Sequence, residues 1–391
     1  NRRRPAAWSK KSLNIIKNSN IKILNFDKIL TQNEVQRIPI IVNEYLTKIK
    51  KSWKNSEDIS NSFYIENCNF WNVVEKNILE MFSKKISEFI FLILVSKKLF
   101  QQMDIRCVAS LHETGETEKI FLECNKNEFP TIVFDHGFVE RVEDTKRFDK
   151  LLYVYFKDKI ALWGNVRRDY LINEYNILPK KILVTGSPRH DVYFNSRCNK
   201  KHNNEITLLL APNPIGNFSG LSSTNLEINF ENTLNEIISI LKEFKIKIIV
   251  KLHQIQLKHN HDIKNIISKI DKNIPIHITS SVIDSINKSD AVLVISPESF
   301  GTSTMLMESM ILGKPTMNIV LDKKIPQFTH VKANTVMTIT NDIKLKENLK
   351  KFLFDKNFQN ELIKNSDQFI EKFLQNRGNA SEICATLLKS F

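Results

Sequence analysis

The sequence predicts an α/β protein made of two Rossmann-like, doubly wound parallel-sheet domains facing a common cleft. Three observations predict it. Short aliphatic strands alternate with amphipathic helices, the pattern of a parallel sheet covered on both faces. The alternation stops at a polar stretch and then restarts. Polar residues gather just beyond the strand ends, whereas the strand bodies are aliphatic.

Taken in order, residues 1–20 read as a basic tail. Asn1-Arg2-Arg3-Arg4 is not followed by the apolar run of a secretory leader. Residues 21–195 read as the first domain. Ile21–Phe26 is expected to be a strand, and Glu34–Lys51 and Phe70–Phe100 helices. The apolar run Phe89–Val95 is too short to span a bilayer and reads as a buried part of the second helix. Strands are then expected at Ile105–Leu111, Thr131–Phe134, Lys159–Trp163 and Ile182–Val184, with helices at Glu116–Asn127 and Arg167–Tyr175 between them. Residues 196–204 are polar and form the expected linker. A second domain, residues 205–360, is expected to place strands at Ile206–Ala211, Lys247–Leu252, Ile276–Thr279, Ala291–Ile295 and Thr316–Val320. Its expected helices are Asn232–Phe244, Ile263–Ile270, Val282–Asn287 and Thr304–Leu312. Residues 361–391 read as helices that return to the first domain.

Composition narrows the function. Of 391 residues, 42% are hydrophobic and 26% charged, enough apolar material for two ordered cores. The formal charge of +14 favours anionic partners such as nucleotide phosphates or an anionic membrane surface. The lysines are dispersed and no nucleic-acid-binding signature is present, so no nucleic-acid partner is expected. Five scattered cysteines (Cys68, Cys107, Cys124, Cys198, Cys384) form neither a disulfide framework nor a metal-ligand set, which fits a reducing cytoplasm. A Gly-x-Gly-x-x-Gly turn, a Walker A loop, Asp-x-Asp, His-Glu-x-x-His and a Gly-x-Ser-x-Gly elbow are all missing. Dinucleotide oxidoreductases, P-loop ATPases, zinc proteases and elbow hydrolases lose their key residues accordingly.

Ligands of open α/β sheets bind beyond the carboxyl ends of the strands. In the first half those positions hold His112-Glu113, Asp135-His136-Gly137 and Gly186-Ser187-Pro188-Arg189-His190-Asp191. In the second they hold Pro212-Asn213-Pro214, His253-Gln254, with Lys251 two residues earlier on the same face as His253, and Ser296 to Thr304. The last run, with Ser299, Thr302, Ser303 and Thr304, enters a helix whose free N–H groups and positive dipole end suit a diphosphate. Glu308, one turn inside, is placed to reach a ribose or sugar hydroxyl. Gly313 suits the helix C′ position, with Pro315 preventing continuation. Taken alone, the same run also reads as an ordinary N-cap followed by a solvated Glu308. His136 suits a general base toward an acceptor hydroxyl, and Asp135 and Glu113 are carboxylate alternatives or partners that orient it.

In this order the motifs Asp135-His136-Gly137, Trp163-Gly164, Thr185-Gly186-Ser187-Pro188-Arg189-His190-Asp191, Lys251-Leu252-His253, Ser299-x-x-x-Ser303-Thr304 with Glu308, and Gly313-Lys314-Pro315 resemble GT-B surface-polysaccharide glycosyltransferases. The nearest echoes are capsule-type enzymes using CMP-activated acidic sugars and the CDP-glycerol glycerophosphotransferases of teichoic acid synthesis. The resemblance covers roughly residues 105–320. It departs where relatives often carry Gln-His-Gly, His-Pro and Glu-Ala and this chain has Asp135, Gln254 and Ser309.

The resemblance implies a metal-independent glycosyltransferase working at the inner face of the cell membrane. It needs no cofactor beyond a CMP-, CDP- or UDP-linked donor substrate. The acceptor is a glycan or lipid-linked glycan, with peripheral contact to anionic membrane. His136 would be the base, with Asp135 and Glu113 beside it. Donor binding would fall to Gly186, Ser187, Arg189, Pro212, Lys251, His253, Ser299, Thr302, Ser303, Thr304 and Glu308. A CDP-glycerol-type polyol-phosphate transferase, a UDP-sugar 2-epimerase-like enzyme and a non-catalytic GT-B-like scaffold are the alternatives.

Overall fold

A computed structural model describes residues 10–19, 22, 24–54, 56–111, 116–125, 128–135, 158–197, 205–213, 224–253, 257–296, 303–321, 325, 327–340 and 344–391. The chain divides into two compact units: residues 1–108 with 114–129, and residues 109–113 with 130–391.

The first unit is largely helical. Two long helices, Gln32–Lys54 and Trp71–Gln102, pack against each other, and helix Glu116–Asn125 packs on the second. Their shared core is Leu30, Ile38, Val42, Ile90, Val95 and Leu99, so the apolar run at 89–95 contributes to the core of this unit. Among the described residues no helix is long and apolar enough to cross a membrane. The first helix opens with a reciprocal cap: Glu34 N–H donates to Thr31 Oγ1 at 3.4 Å and Thr31 N–H to Glu34 Oε2 at 2.6 Å. A two-stranded antiparallel hairpin, β1 (Tyr64–Ile65) and β2 (Cys68–Asn69), precedes the second helix. The strand expected at Ile21–Phe26 does not form over its described residues. The Asn25 side chain accepts from Asp27 N–H at 3.1 Å and turns the chain into a single 3-10 turn, Phe26–Lys28.

The second unit carries two sheets. The smaller has the order β3-β4-β5-β6 (Val108–Ser110, Thr131–Phe134, Lys159–Leu162, Ile182–Val184), with β4/β5 and β5/β6 parallel. The larger has the order β12-β11-β10-β7-β8-β9, all parallel. It comprises β7 (Thr207–Pro212), β8 (Lys247–Lys251), β9 (Ile276–His277), β10 (Ala291–Ser296), β11 (Thr316–Val320) and β12 (Met337–Thr340). From β7 the chain winds outward through β8 and β9, then returns to β10 and winds the other way. The sheet is therefore doubly wound, with its switch point between β7 and β10.

Alternate strand residues serve opposite layers, as the pleat requires. Leu208, Leu210, Leu293 and Ile295 face one core, whereas Leu209, Ala211, Val292 and Val294 face the other. The second core also takes in Trp163 and Tyr193 from the smaller sheet's side and Phe369, Ile370, Phe373 and Leu374 from the C-terminal region. Helix Lys356–Phe373 packs on both Thr304–Ile311 and Asn165–Tyr175. The segment after it is pinned to the ends of β5 and β6. Gln375 N–H donates to Trp163 O at 2.9 Å, and Asn376 Nδ2 to Val184 O at 3.3 Å. A side chain at Gly164 would strike the Phe373 carbonyl, and one at Gly186 the Gln375 carbonyl. Gly186 also has φ +83, which only glycine takes without strain. Asp191 then caps helix Ala380–Lys389, accepting from Ala380 N–H at 3.1 Å and Ser381 N–H at 2.7 Å.

Candidate functional site

The switch point of the larger sheet assembles polar groups at the ends of β7 and β10. Asn213, the residue after β7, is fixed by its N–H to Ile295 O at 2.9 Å. Its side-chain Oδ1 accepts from Ser303 Oγ at 3.3 Å. Ser303 stands at the N-cap of helix Thr304–Ile311, yet its hydroxyl makes no cap bond. The N-terminal N–H groups of that helix are thus left without a side-chain cap from Ser303, as an anion site needs. Pro212 ends β7 paired with Ile295. At the other end of the helix Gly313 takes φ +67, and Lys314 N–H closes on Ser309 O at 3.0 Å, the C′ role expected of it.

Glu308 lies on the buried face of the same helix, 3% exposed, so the ordinary solvated glutamate is ruled out. Its Oε1 accepts from Arg189 Nη2 at 2.8 Å, joining the tip of β6 in one sheet to the helix after β10 in the other. The Tyr193 hydroxyl also bonds to Glu308, and Lys251 adds electrostatic attraction. Burial raises the Glu308 carboxyl above its ordinary value, against the pull of Arg189, Tyr193 and Lys251. Burial likewise raises the Tyr193 phenol, with Glu308 adding to the effect.

Lys251 is 4% exposed and donates to Ile278 O at 2.7 Å and Leu252 O at 3.0 Å. Burial lowers its ammonium and Glu308 partly restores it. His253 is exposed at its surface, and its carbonyl accepts from Asn260 Nδ2 at 2.6 Å. Crowding by protein atoms, then Lys251 and Arg189, push its imidazole toward the neutral form.

At the end of β4, Asp135 is held at three points. Its N–H donates to Ala161 O at 2.8 Å, its carbonyl accepts from Trp163 Nε1 at 3.1 Å, and its Oδ1 accepts from Arg167 Nη2 at 3.2 Å. The Asp135 and Arg167 side chains are 3% and 4% exposed. The Asp135 carboxylate is thus buried in an ion pair with Arg167. Gly186 and Ser187 also have internal duties. The glycine makes room for residue 375, and Ser187 Oγ bonds His190 Nδ1 at 2.8 Å. His190 is fully buried, edge-on to Trp163 and Tyr193 at ring separations of 5.1 and 5.6 Å. Burial, with Arg189 adding, lowers its imidazole to about 3.

The structure therefore brings Arg189, Lys251, His253 and Glu308 together, with Ser303 and Thr304 at the start of the Glu308 helix. His136, Glu113, Ser299 and Thr302 lie outside the described residues. Sequence reasoning missed Arg167 and Tyr193. Arg167 left a signal, since it precedes buried Leu171 by four residues and so shares its helix face. Tyr193, inside Val192-Tyr193-Phe194, left none.

Two parallel α/β sheets whose tips meet through one ion pair complete the architecture. The fold is GT-B. Over 92% of this chain and 93% of the other, it resembles a putative UDP-N-acetylglucosamine 2-epimerase from Listeria monocytogenes, with TM-score 0.54 and 13% identity. The UDP-GlcNAc 2-epimerase of Methanocaldococcus jannaschii, solved with UDP-GlcNAc and UDP, is similar over 78% of this chain and 81% of that one, with TM-score 0.51 and 14% identity. At such identities the likeness concerns fold alone. No known family and no curated protein matches the sequence.

Proposed function

We propose that the chain is a metal-independent glycosyltransferase that moves a sugar from a nucleotide-activated donor to a surface glycan or lipid-linked acceptor. The observation that carries this reading is the Arg189–Glu308 contact beside the switch point, where a cation from one sheet meets a buried carboxylate on the helix that follows β10 in the other, a helix whose N-cap Ser303 makes no side-chain cap bond. Ligands of doubly wound sheets bind at such a point. In this reading Arg189, Ser303, Thr304 and the helix N–H groups take the donor phosphate. His136 removes the acceptor proton, and Asp135, locked by Arg167 and Trp163, fixes where the chain leaves β4. Location at the inner face of the cell membrane, against anionic lipid, belongs to the same proposal.

The test is a donor panel of CMP-, CDP- and UDP-linked substrates, assayed for nucleotide release with and without glycan acceptors and with EDTA. Acceptor-dependent release that survives EDTA and is abolished in a folded His136→Ala variant is the expected result. Full turnover by that variant removes His136 from the mechanism. Hydrolytic 2-epimerisation of a UDP-sugar is the second reading, because both solved structures named above carry that description. Release of UDP without acceptor favours it, and turnover of CDP-glycerol alone favours polyol-phosphate transfer.

A further inference from the structure

The polar groups at the meeting of the two sheets are not equivalent. Lys251 is sealed at 4% exposure and spends two of its three N–H donors on the carbonyls of Ile278 and Leu252. Glu308 is sealed at 3%, with one oxygen on Arg189 and a further bond from the Tyr193 hydroxyl. The Arg189 side chain, by contrast, is 47% exposed. One of its terminal nitrogens is tied to Glu308, while a guanidinium carries five N–H donors in a planar fork. Among these groups, Arg189 is the permanent charge that reaches solvent.

Resting on the donor-binding reading above, the geometry points to a division of labour. Arg189 is the residue that grips the donor phosphate, and Glu308 and Tyr193 are positioning residues that hold its guanidinium and do not touch the donor's sugar hydroxyls. This reverses the role expected of Glu308 from sequence. A carboxylate buried behind an arginine and a tyrosine has no free face for a ribose. It serves instead as a buried anchor that removes rotamer freedom from a long cationic side chain. Tyr193 fixes the anchor from the other side, and its ring is packed against His190 at 5.6 Å.

The test is a double-mutant cycle on the full chain, reading UDP and CDP affinity by calorimetry, with uridine and cytidine as phosphate-free probes. Arg189→Gln is expected to weaken nucleotide binding about tenfold to a hundredfold, the value of a charge-assisted contact. It should leave nucleoside binding unchanged. Glu308→Gln and Tyr193→Phe are expected to weaken the nucleotide in the same direction but less. Glu308→Gln should have no further effect once Arg189→Gln is present. Additive losses in the cycle, or a Glu308→Gln variant that loses nucleoside and nucleotide alike, overturn the proposal and make Glu308 a direct ligand. If the wild type binds no nucleotide, the donor reading itself fails. If it binds and Arg189→Gln changes nothing, only this division of labour fails. Unfolding curves of each variant keep a folding defect distinguishable from lost contact.

Discussion

Replacing Arg189 with methionine removes one side of a half-buried ion pair and keeps most of the aliphatic stem. The carboxylate left behind is 3% exposed and retains the Tyr193 hydroxyl and the attraction of Lys251. Breaking one side of a fully buried pair costs about 3–5 kcal/mol. Because Arg189 is 47% exposed, solvent already screens the pair, and about 2 kcal/mol is the expected loss. The loss must depend on pH. Burial holds the Glu308 carboxyl above its ordinary value, and Arg189 is the strongest group opposing that. Without Arg189 the folded-state value climbs further. Between the ordinary and the raised value the native state then holds more protons than the unfolded state, so stability falls as pH rises. Urea unfolding of wild type and Arg189→Met at pH 5, 6.5 and 8 should show a small difference at pH 5 that widens toward pH 8. Adding Glu308→Gln should remove the pH dependence and recover most of the stability. An equal loss at all three values, or none, refutes the assignment of Glu308 as a buried anchor.

Two further outcomes follow from the packing. Gly164→Ala and Gly186→Ala each drive a methyl into a backbone carbonyl of the C-terminal segment, which cannot rotate away. Each should lower the unfolding free energy well beyond the ~1 kcal/mol typical of a point change, whereas alanine at half-buried Gln375 should not. His190 is held neutral in the fold at about 3, so the unfolded chain takes up a proton first as pH falls below the ordinary histidine value of 6.5. Wild-type stability should therefore drop between pH 6 and 4 by up to about 1.4 kcal/mol per pH unit from this group. The slope should be shallower in His190→Gln, and equal slopes would place the acid sensitivity elsewhere.

The parallel sheets were legible because aliphatic runs and flanking polar residues report strand bodies and strand ends directly. Thr131–Phe134, Ile182–Val184, Val282–Asn287 and Thr316–Val320 are found at their expected bounds. Gly313 was legible for a similar reason, since a glycine before Lys314-Pro315 at a helix end has few other uses. Three things were not legible. The stub Ile21–Phe26 has a strand's pattern, but a local Asx hydrogen bond outcompetes it. The edge strand Met337–Thr340 is only four residues of mixed polarity, too short for its pattern to stand out. Arg189 and Glu308 are 119 residues apart, and nothing in either local sequence announces the pairing. The polar residues of the candidate site could be gathered by their place at strand ends. Which of them face solvent is set by long-range packing, as with Glu308, which is 3% exposed, against Arg189, whose side chain is 47% exposed.

The most direct test of the account is a crystal structure of the chain with UDP or CDP bound. The account predicts the diphosphate at the start of helix Thr304–Ile311, within hydrogen-bond reach of both Ser303 and the Arg189 guanidinium, with Glu308 still on Arg189. A nucleotide bound away from the β7–β10 switch point, or one whose ribose has displaced Arg189 from Glu308, would contradict it.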